Sequence, residues 1–368
     1  MNKNKILIGS TSYLVPSNPS WDILEKNNKL SFGEYGDWAN NLLNTKNNEI
    51  LVLVIFFEDL FGVKKQTYRK MQSILKPLLV LVEERLQNTG EPLILCLSFK
   101  DDENLLNRLS SIGDLNEIKH WLFKKLETLS SEFSNLFAID LYKEFAKKGT
   151  QECFDSRNWY YAHCHLSTLG LKIVSDSVYK VLNNFYSQPK KVLVLDCDNT
   201  LWNGVVGEDG IKGVGLGTDG IGLAFMNFQQ EIKNIMAKGF ILAIASKNNE
   251  QDVWDMFAKH DSMILKKSDI VSWRINWQEK SINIREMASE LGLALNSFVF
   301  WDDNPIERDK MTIQNPDVEV VDAPKNVLEW PALIKDMDYF SKSKITSEDI
   351  KKSNQYKSRA MFQRDASS

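Results

Sequence analysis

The sequence predicts an α/β protein with two doubly wound domains, each a parallel sheet covered by helices on both faces. Three observations support this prediction. Apolar runs of strand length alternate with longer segments of helical period along the chain. A short polar stretch with a proline, residues 186–191, separates two such series. Polar side chains directly follow the strands of the second series, where open α/β sheets bind ligands. We therefore divide the chain into residues 1–188, 189–340 and 341–368.

In the first domain, apolar runs predict strands and segments of helical period predict helices. The predicted strands are residues 5–9, 50–57 and 93–97. The predicted helices are residues 68–87, 104–131 and 169–185. Because a helix between two strands returns the chain to the same edge of the sheet, this order predicts parallel pairing.

The second domain has the same alternating order. Its predicted strands are residues 192–195, 240–245, 298–301 and 318–321. Its predicted helices are residues 223–238, 251–259 and 280–291. After about Ser341 the chain is polar and charged, so we expect a partly frayed tail.

The composition limits the classes of partner and compartment. The chain has 368 residues, of which 43% are apolar and 26% charged, and a formal net charge of -4. This balance gives no support for nucleic acid or an anionic membrane as a partner. The longest apolar run, residues 50–57, is too short to span a bilayer. The four cysteines lack metal-type spacing and indicate a reducing compartment, so we expect a cytoplasmic protein.

Two carboxylates stand at the end of the first strand of the second domain. Asp196 and Asp198 are two residues apart, so in an extended strand both side chains would face one pocket. Two such carboxylates repel unless a cation or a phosphoryl group lies between them. The spacing indicates metal-assisted phosphate chemistry, although a solvated strand end or a helix cap has the same pattern.

Three further polar elements follow later strands of this domain. They are Ser246, Lys280 at the head of a helix, and the pair Asp302 and Asp303. Phosphoryl transfer needs a nucleophile, an acid/base, groups that hold phosphate oxygens, a cation and carboxylates for a metal. Each element alone has a structural explanation, as a helix cap, a solvated lysine or a turn. Their shared position on successive strand ends favours a functional site.

The four elements resemble motifs I to IV of the haloacid dehalogenase-like (HAD) phosphohydrolase superfamily. The resemblance implies that Asp196 attacks the phosphoryl group and becomes an aspartyl-phosphate. It implies that Asp198 protonates the leaving group and later activates water. Ser246, Lys280 and the hydroxyl of Thr200 would hold and neutralise the phosphate.

The same resemblance implies a metal site. Mg²⁺ would be bound by the side chain of Asp196, the backbone carbonyl of Asp198 and the side chain of Asp302. Asp303 would be a further ligand or would support one. Ligands that are all oxygen atoms suit Mg²⁺ better than zinc, so we expect Mg²⁺ as the cofactor.

A narrower resemblance, to the FkbH-like family, covers roughly residues 190–324. It rests on four segments: DCDNTLWNGVVGEDG (196–210), SKNN (246–249), NWQEK (276–280) and WDDNPIER (301–308). It implies an enzyme that takes the acyl phosphate 1,3-bisphosphoglycerate, removes phosphate and loads a glyceryl unit onto the phosphopantetheine arm of an acyl carrier protein. The thioester would feed polyketide or related assembly. Asn203 stands where the family usually has glycine, which we expect the loop to tolerate.

Cys197 lies between the two aspartates and has two possible roles. In an extended strand it would project away from them and pack in the core. If the backbone turns there, its thiolate could accept the acyl group before the carrier does. The flanking carboxylates would raise the pKa of this thiol, whereas Mg²⁺ and Lys280 would lower it.

The glycine-rich stretch 207–222 is either a series of turns or a small flap over the site. HAD proteins place a flap at this point, and no room remains for a large cap domain before Phe225. A small flap would leave the site open enough for a carrier arm.

Two segments of the first domain resemble the first and last blocks of SGNH hydrolases: Gly9-Ser10 after the first strand, and HLSTLG (165–170) before a helix. A serine and a histidine so placed could be nucleophile and base. The pattern is incomplete, because Ala162 stands where the orienting aspartate is expected, and Phe57-Glu58-Asp59 replaces an oxyanion asparagine. We expect a degenerate SGNH-like domain that docks the substrate or the carrier.

Three functions stay open from the sequence. The first is the carrier-loading enzyme, and the second is a stand-alone phosphatase acting on a small phosphorylated metabolite such as a phosphosugar. The third is a non-catalytic docking module for a carrier protein. The intact set Asp196, Asp198, Ser246, Lys280 and Asp302 argues against the third function.

Overall fold

The computed structural model describes residues 4–44, 46, 48–62, 66–99, 108–186 and 190–337. The chain divides into two units, Met1–Tyr186 and Ser187–Ser368. Each unit contains a five-stranded parallel sheet with helices between the strands, which confirms the predicted fold class. Residues 187–189 of the predicted boundary and the predicted tail 341–368 lie outside the described residues.

The sheet of the first unit has the strand order β2-β1-β3-β4-β5. Its strands are β1 (Asn4–Ser10), β2 (Asn28–Phe32), β3 (Glu49–Phe56), β4 (Leu93–Ser98) and β5 (Leu136–Asp140). Its described helices are Asp22–Glu25, Trp38–Asn44, Phe57–Phe61, Tyr68–Asn88, Arg108–Glu132, Leu141–Ala146, Thr150–Cys153, Ser156–Ala162 and Thr168–Tyr186. Alternate side chains along the strands enter two apolar cores, one on each face of the sheet.

The sheet of the second unit has the order β10-β9-β6-β7-β8. Its strands are β6 (Val192–Leu195), β7 (Ile241–Ser246), β8 (Ile270–Ile275), β9 (Phe298–Trp301) and β10 (Glu319–Val320). Its described helices are Val206–Gly213, Gly220–Ala237, Glu250–Lys259, Lys280–Leu291, Pro305–Gln314 and Trp330–Lys335. No described helix of either unit is long and apolar enough to cross a membrane.

The predicted central strands agree with the structure to within one residue at each end. Three strands escaped prediction, and each lies at the edge of its sheet: β2, β5 and β8. An edge strand is partly open to solvent, so its sequence mixes polar and apolar residues and lacks a continuous apolar run. In β8, Ser272 and Arg274 interrupt the apolar residues for this reason.

Candidate active site

The sheet of the second unit brings the four predicted elements to one edge. β6 pairs with β9 on one side and β7 on the other, and β8 pairs with β7. Asp196 follows β6, Ser246 ends β7, and Asp302 follows β9. Lys280 begins the helix after β8. Because all these strands are parallel, their carboxyl ends lie side by side.

Lys280 is the cation at the centre of this site. Its Nζ lies 3.0 Å from Oδ1 of Asp196 and 2.6 Å from Oδ2 of Asp302. The lysine side chain is 4% exposed and that of Asp302 is fully buried. Burial disfavours the ammonium group, but the two carboxylates outweigh it and raise the pKa of Lys280 above its usual value. Lys280 therefore stays charged and links two strand ends.

The lysine begins its helix there because the preceding loop is fixed. The side chains of Asn276 and Asn283 form a reciprocal amide pair, with N···O distances of 3.0 and 3.3 Å. The N–H of Asn276 also donates to the carbonyl of Ser246, which ties the loop to the end of β7. Asn283 is fully buried one turn after Lys280, so the pair holds the first turn of the helix in place.

Three carboxylates form a group that could hold a metal ion. Oxygens of Asp196, Asp302 and Asp303 all lie within 4.8 Å of one another. Burial, followed by the charge of Asp196, raises the pKa of Asp302 to about 7 and also raises the pKa of Asp303. Clustered buried carboxylates of this kind repel one another, and an oxygen-preferring divalent cation would relieve that repulsion.

Thr200 contacts a carboxylate of this group. Its hydroxyl donates to Oδ1 of Asp303 at 3.4 Å and accepts from the N–H of Asp303 at 3.3 Å. The residue is fully buried. The Thr200 hydroxyl thus helps to hold Asp303, and its predicted contact with phosphate stays a prediction.

Asp198 is held by three hydrogen-bond donors, two from the segment that follows it and one from the loop after β7. Its Oδ1 accepts from the indole Nε1 of Trp202 at 2.9 Å and from the N–H of Val206 at 3.0 Å. Its Oδ2 accepts from Nδ2 of Asn248 at 2.7 Å. Burial raises the pKa of Asp198, and these donors oppose that shift. The sequence pointed to Asp198 but not to its partners, because nothing in the spacing of Trp202 or Asn248 indicates the contact.

Cys197 packs in the core. Leu193, Leu195 and Cys197 alternate along β6 and its extension, and all three belong to one apolar cluster. The residue is fully buried, and burial, followed by the charge of Asp196, raises the pKa of its thiol well above the usual value. A buried, protonated thiol is a poor nucleophile, so these features favour the structural role over the acyl-accepting one.

Ser246 is buried beside Cys197. Leu195 pairs with Ile244, so Cys197 and Ser246 each lie two residues beyond this pair on neighbouring strands. Ser246 is 1% exposed. The structure thus brings Ser246 to the same strand edge as Asp196, and its predicted contact with phosphate stays a prediction.

The predicted flap region contains a short helix, Val206–Gly213, which we call the flap helix. It is irregular at Gly210, where φ is 69°. Asn203 and Gly215 close its base, because each donates its N–H to the carbonyl of the other, at 3.1 and 2.7 Å. Asn203 uses its backbone for these bonds, so the departure from glycine there fits the local structure.

The first unit has a separate polar cluster around His165. Its Nε2 lies 2.8 Å from Oδ1 of Asp59, and its Nδ1 lies 4.0 Å from Glu58. The acid beside His165 thus comes from the helix Phe57–Phe61 and not from position 162, a pairing that local sequence spacing does not reveal. Within the described part of the chain, no hydrogen bond joins His165 to Ser10, whose hydroxyl accepts from Ser12. The SGNH relationship and the docking role stay predictions.

Comparison with known protein families and with curated proteins gives no match. Among solved structures, the chain is similar to the N-terminal part of the protein BF1531 from Bacteroides fragilis, which contains a phosphatase domain and is complexed with Mg. The two sequences are 24% identical, the alignment covers 94% of this chain and 95% of that one, and the TM-score is 0.76. The two proteins share a fold. A UDP-GlcNAc 2-epimerase from Neisseria meningitidis aligns at 10% identity over 98% of this chain and 100% of that one, with a TM-score of 0.18.

Proposed function

We propose that the second unit is a Mg²⁺-dependent phosphoryl-transfer site whose nucleophile is Asp196. The observation that carries the proposal is the arrangement of Lys280 between Asp196 and Asp302, with Asp303 completing the carboxylate group. Such a site offers a nucleophilic oxygen, a fixed cation and metal ligands within a few ångströms of one another. The fold shared with a phosphatase-domain structure that is complexed with Mg supports the proposal.

The reaction proceeds in two steps. A carboxylate oxygen of Asp196 attacks phosphorus, the bond from phosphorus to the leaving oxygen breaks, and Asp198 gives its proton to that oxygen. Water then attacks the phosphorus of the aspartyl-phosphate, its proton passes to Asp198, and inorganic phosphate leaves with Asp196 restored. Lys280 offsets the negative charge that develops on the phosphoryl oxygens.

The carboxylates of Asp196, Asp302 and Asp303 would hold Mg²⁺, together with the backbone carbonyl of Asp198. They fit this ion because the donor set is oxygen only and the carboxylate oxygens already lie within 4.8 Å of one another. When bound, the ion supplies positive charge to the phosphoryl oxygens.

We further propose that the substrate is 1,3-bisphosphoglycerate and that its glyceryl unit is loaded onto an acyl carrier protein. A glyceryl thioester carries no phosphate, so both phosphates must leave. The phosphate at the acyl end leaves when the thiol of the phosphopantetheine arm attacks the carbonyl carbon. The monoester at the other end would be hydrolysed through Asp196. The four segments that resemble FkbH-like proteins support this proposal, as does the small size of the flap helix, which has eight residues.

A stand-alone phosphatase is the second candidate. The burial of Cys197 is compatible with it, because a core thiol with a raised pKa offers no covalent route for the acyl group and loading would depend on direct attack by the carrier thiol. Such an enzyme would act on a small phosphorylated metabolite such as a phosphosugar and would need no carrier protein.

Intact-mass measurement of a carrier protein separates the two candidates. The holo form of a co-encoded acyl carrier protein is incubated with 1,3-bisphosphoglycerate, Mg²⁺ and this protein. If the carrier is loaded, its mass increases by one glyceryl unit. The apo-carrier, which lacks the phosphopantetheine arm, is the control and should show no increase. Phosphate release without any adduct on the carrier would contradict loading and leave the phosphatase.

Cys197→Ala is expected to leave phosphate release within about twofold of the wild type, because the thiol is buried in the apolar core. The smaller side chain should lower the free energy of unfolding by about 1 kcal/mol through lost packing. A phosphate-release assay measures the activity, and urea unfolding measures the change in stability. A loss of more than tenfold in phosphate release or in carrier loading would instead give the thiol a chemical role.

Mg²⁺ binding is expected to weaken as the pH falls below about 7. The raised pKa of Asp302 means that a proton occupies this carboxyl group below that pH, and the metal must displace it. Above that pH the carboxylate is ionised and competition disappears. The half-saturating Mg²⁺ concentration, measured by thermal stabilisation at constant ionic strength, should rise by up to about tenfold per pH unit between pH 7 and 6. A constant half-saturating concentration over this range would contradict the expectation.

A further inference from the structure

We propose that the N–H of Val206, the first residue of the flap helix, positions Asp198 for proton transfer, so that the flap is part of the acid/base machinery. The inference rests on the proposed phosphoryl-transfer function. It adds a positioning role for a backbone group, together with the side chains of Trp202 and Asn248. These groups act by holding Asp198, and the inference assigns them no contact with the substrate.

The bonds to Asp198 leave one place for a mobile proton. A carboxylate has about four lone-pair sites, two on each oxygen. Oδ1 accepts from both Trp202 and Val206, so its two sites are filled. Among the described residues, Asn248 is the one donor to Oδ2, so one site on this oxygen remains. The three donors therefore fix both the orientation of the carboxyl group and the oxygen that carries the transferable proton.

The position of the Val206 N–H depends on the base of the flap. The carboxylate of Asp209 accepts from the N–H of Val205 at 2.8 Å, which caps the first turn of the flap helix. The side chain of Asn199, directly after Asp198, accepts from the N–H of Gly204 at 2.9 Å. Gly204 has φ of 105°, which a side chain would strain. These bonds connect the strand end to the flap helix, so the flap helix and Asp198 are held as one assembly.

Misplacing Asp198 should have an effect that depends on the leaving group. An alkyl phosphate expels a strongly basic alkoxide, so its reaction needs a proton from Asp198 as the bond breaks. The phenolate of p-nitrophenyl phosphate is a much weaker base and needs little assistance. A change that only disturbs folding would slow both substrates equally, whereas loss of positioning would slow the alkyl phosphate more.

Val206→Pro removes the N–H while the local backbone suits proline. Val206 is the first residue of its helix, a position that proline favours, and the preceding Val205 is extended with φ of -113° and ψ of 112°. Val206→Ala is the matched control, because it keeps the N–H and loses most of a side chain that is 4% exposed. Both variants disturb packing, but only the first removes the donor.

We expect Val206→Pro to lower kcat for glycerol phosphate about tenfold more than it lowers kcat for p-nitrophenyl phosphate. A factor of about ten is the typical cost of losing one hydrogen bond to a charged group. Val206→Ala should change kcat for the two substrates by the same factor. KM should change little in either variant, because the substrate contacts remain. Equal effects of Val206→Pro on both substrates would overturn the inference.

A second variant keeps the test decisive if Val206→Pro does not fold. Asn248→Ala removes the donor to Oδ2 and should show the same preference for the weakly basic leaving group. Its failure to do so would also overturn the inference. The proposed function fails separately, if the wild-type protein releases phosphate from neither substrate or if that release survives Asp196→Asn.

Discussion

Asp196→Asn is expected to lower phosphate release by at least about 10³-fold, because an amide cannot act as the attacking carboxylate. The substitution keeps the shape of the side chain and leaves an oxygen that can accept from Lys280, so the fold should survive. Phosphate release from acetyl phosphate and p-nitrophenyl phosphate, at saturating Mg²⁺, measures the loss. Circular dichroism and a thermal melt establish that the variant is folded.

Asp255→Asn provides the matched control for this loss. Asp255 pairs with Lys259 on an exposed face of its helix, away from the strand ends. The same change of a carboxylate to an amide should there leave phosphate release unchanged. Retention of more than about a tenth of the activity in Asp196→Asn would rule out the aspartyl-phosphate route.

Lys280→Met should destabilise the metal-free protein by about 3–5 kcal/mol, the range for removing one partner of a buried ion pair. The substitution leaves Asp196 and Asp302 close together without the ammonium group that lies 3.0 and 2.6 Å from them. Activity should fall by at least about 10²-fold, because the charge on the phosphoryl oxygens loses its fixed counter-charge. Urea unfolding with and without Mg²⁺ tests the stability, and we expect Mg²⁺ to stabilise the variant more than the wild type.

Lys247→Met is the control for the loss of a lysine charge. Lys247 pairs with Glu307 at 3.0 Å, but its side chain is 31% exposed. A partly exposed pair of this kind contributes about 1 kcal/mol or less. If Lys280→Met cost no more stability than Lys247→Met, the central role of Lys280 in balancing the carboxylates would be wrong.

The fold was predictable where local sequence and tertiary structure agree. β6 and β9 are buried on both faces, so each strand is a continuous apolar run. The first and last apolar residues of the run therefore give the ends of the strand. The edge strands β2, β5 and β8 owe their pairing to a neighbour on one side, which a local pattern does not show. The helix Lys280–Leu291 was predictable to the residue, because its apolar face recurs at helical spacing.

The candidate site was predictable only in part for a related reason. The parallel sheet brings four residues to one edge, because each lies at the end of a strand or shortly after it: Asp196, Ser246, Lys280 and Asp302. The contacts of these residues with one another depend on side-chain direction across the sheet. The pairing of Asp198 with Asn248, 50 residues away, and of His165 with Asp59, 106 residues away, therefore required the structure.

Chemical trapping of the phosphorylated enzyme tests the central claim most directly. The protein is mixed with acetyl phosphate and Mg²⁺, quenched, reduced with borohydride and mapped by peptide mass spectrometry. Borohydride reduces an acyl phosphate to an alcohol, so a phosphorylated aspartate is converted to homoserine. We predict this product at position 196, dependent on substrate and absent from Asp196→Asn. Phosphate release with no modified residue at position 196, or with the modification at another residue, would contradict the account.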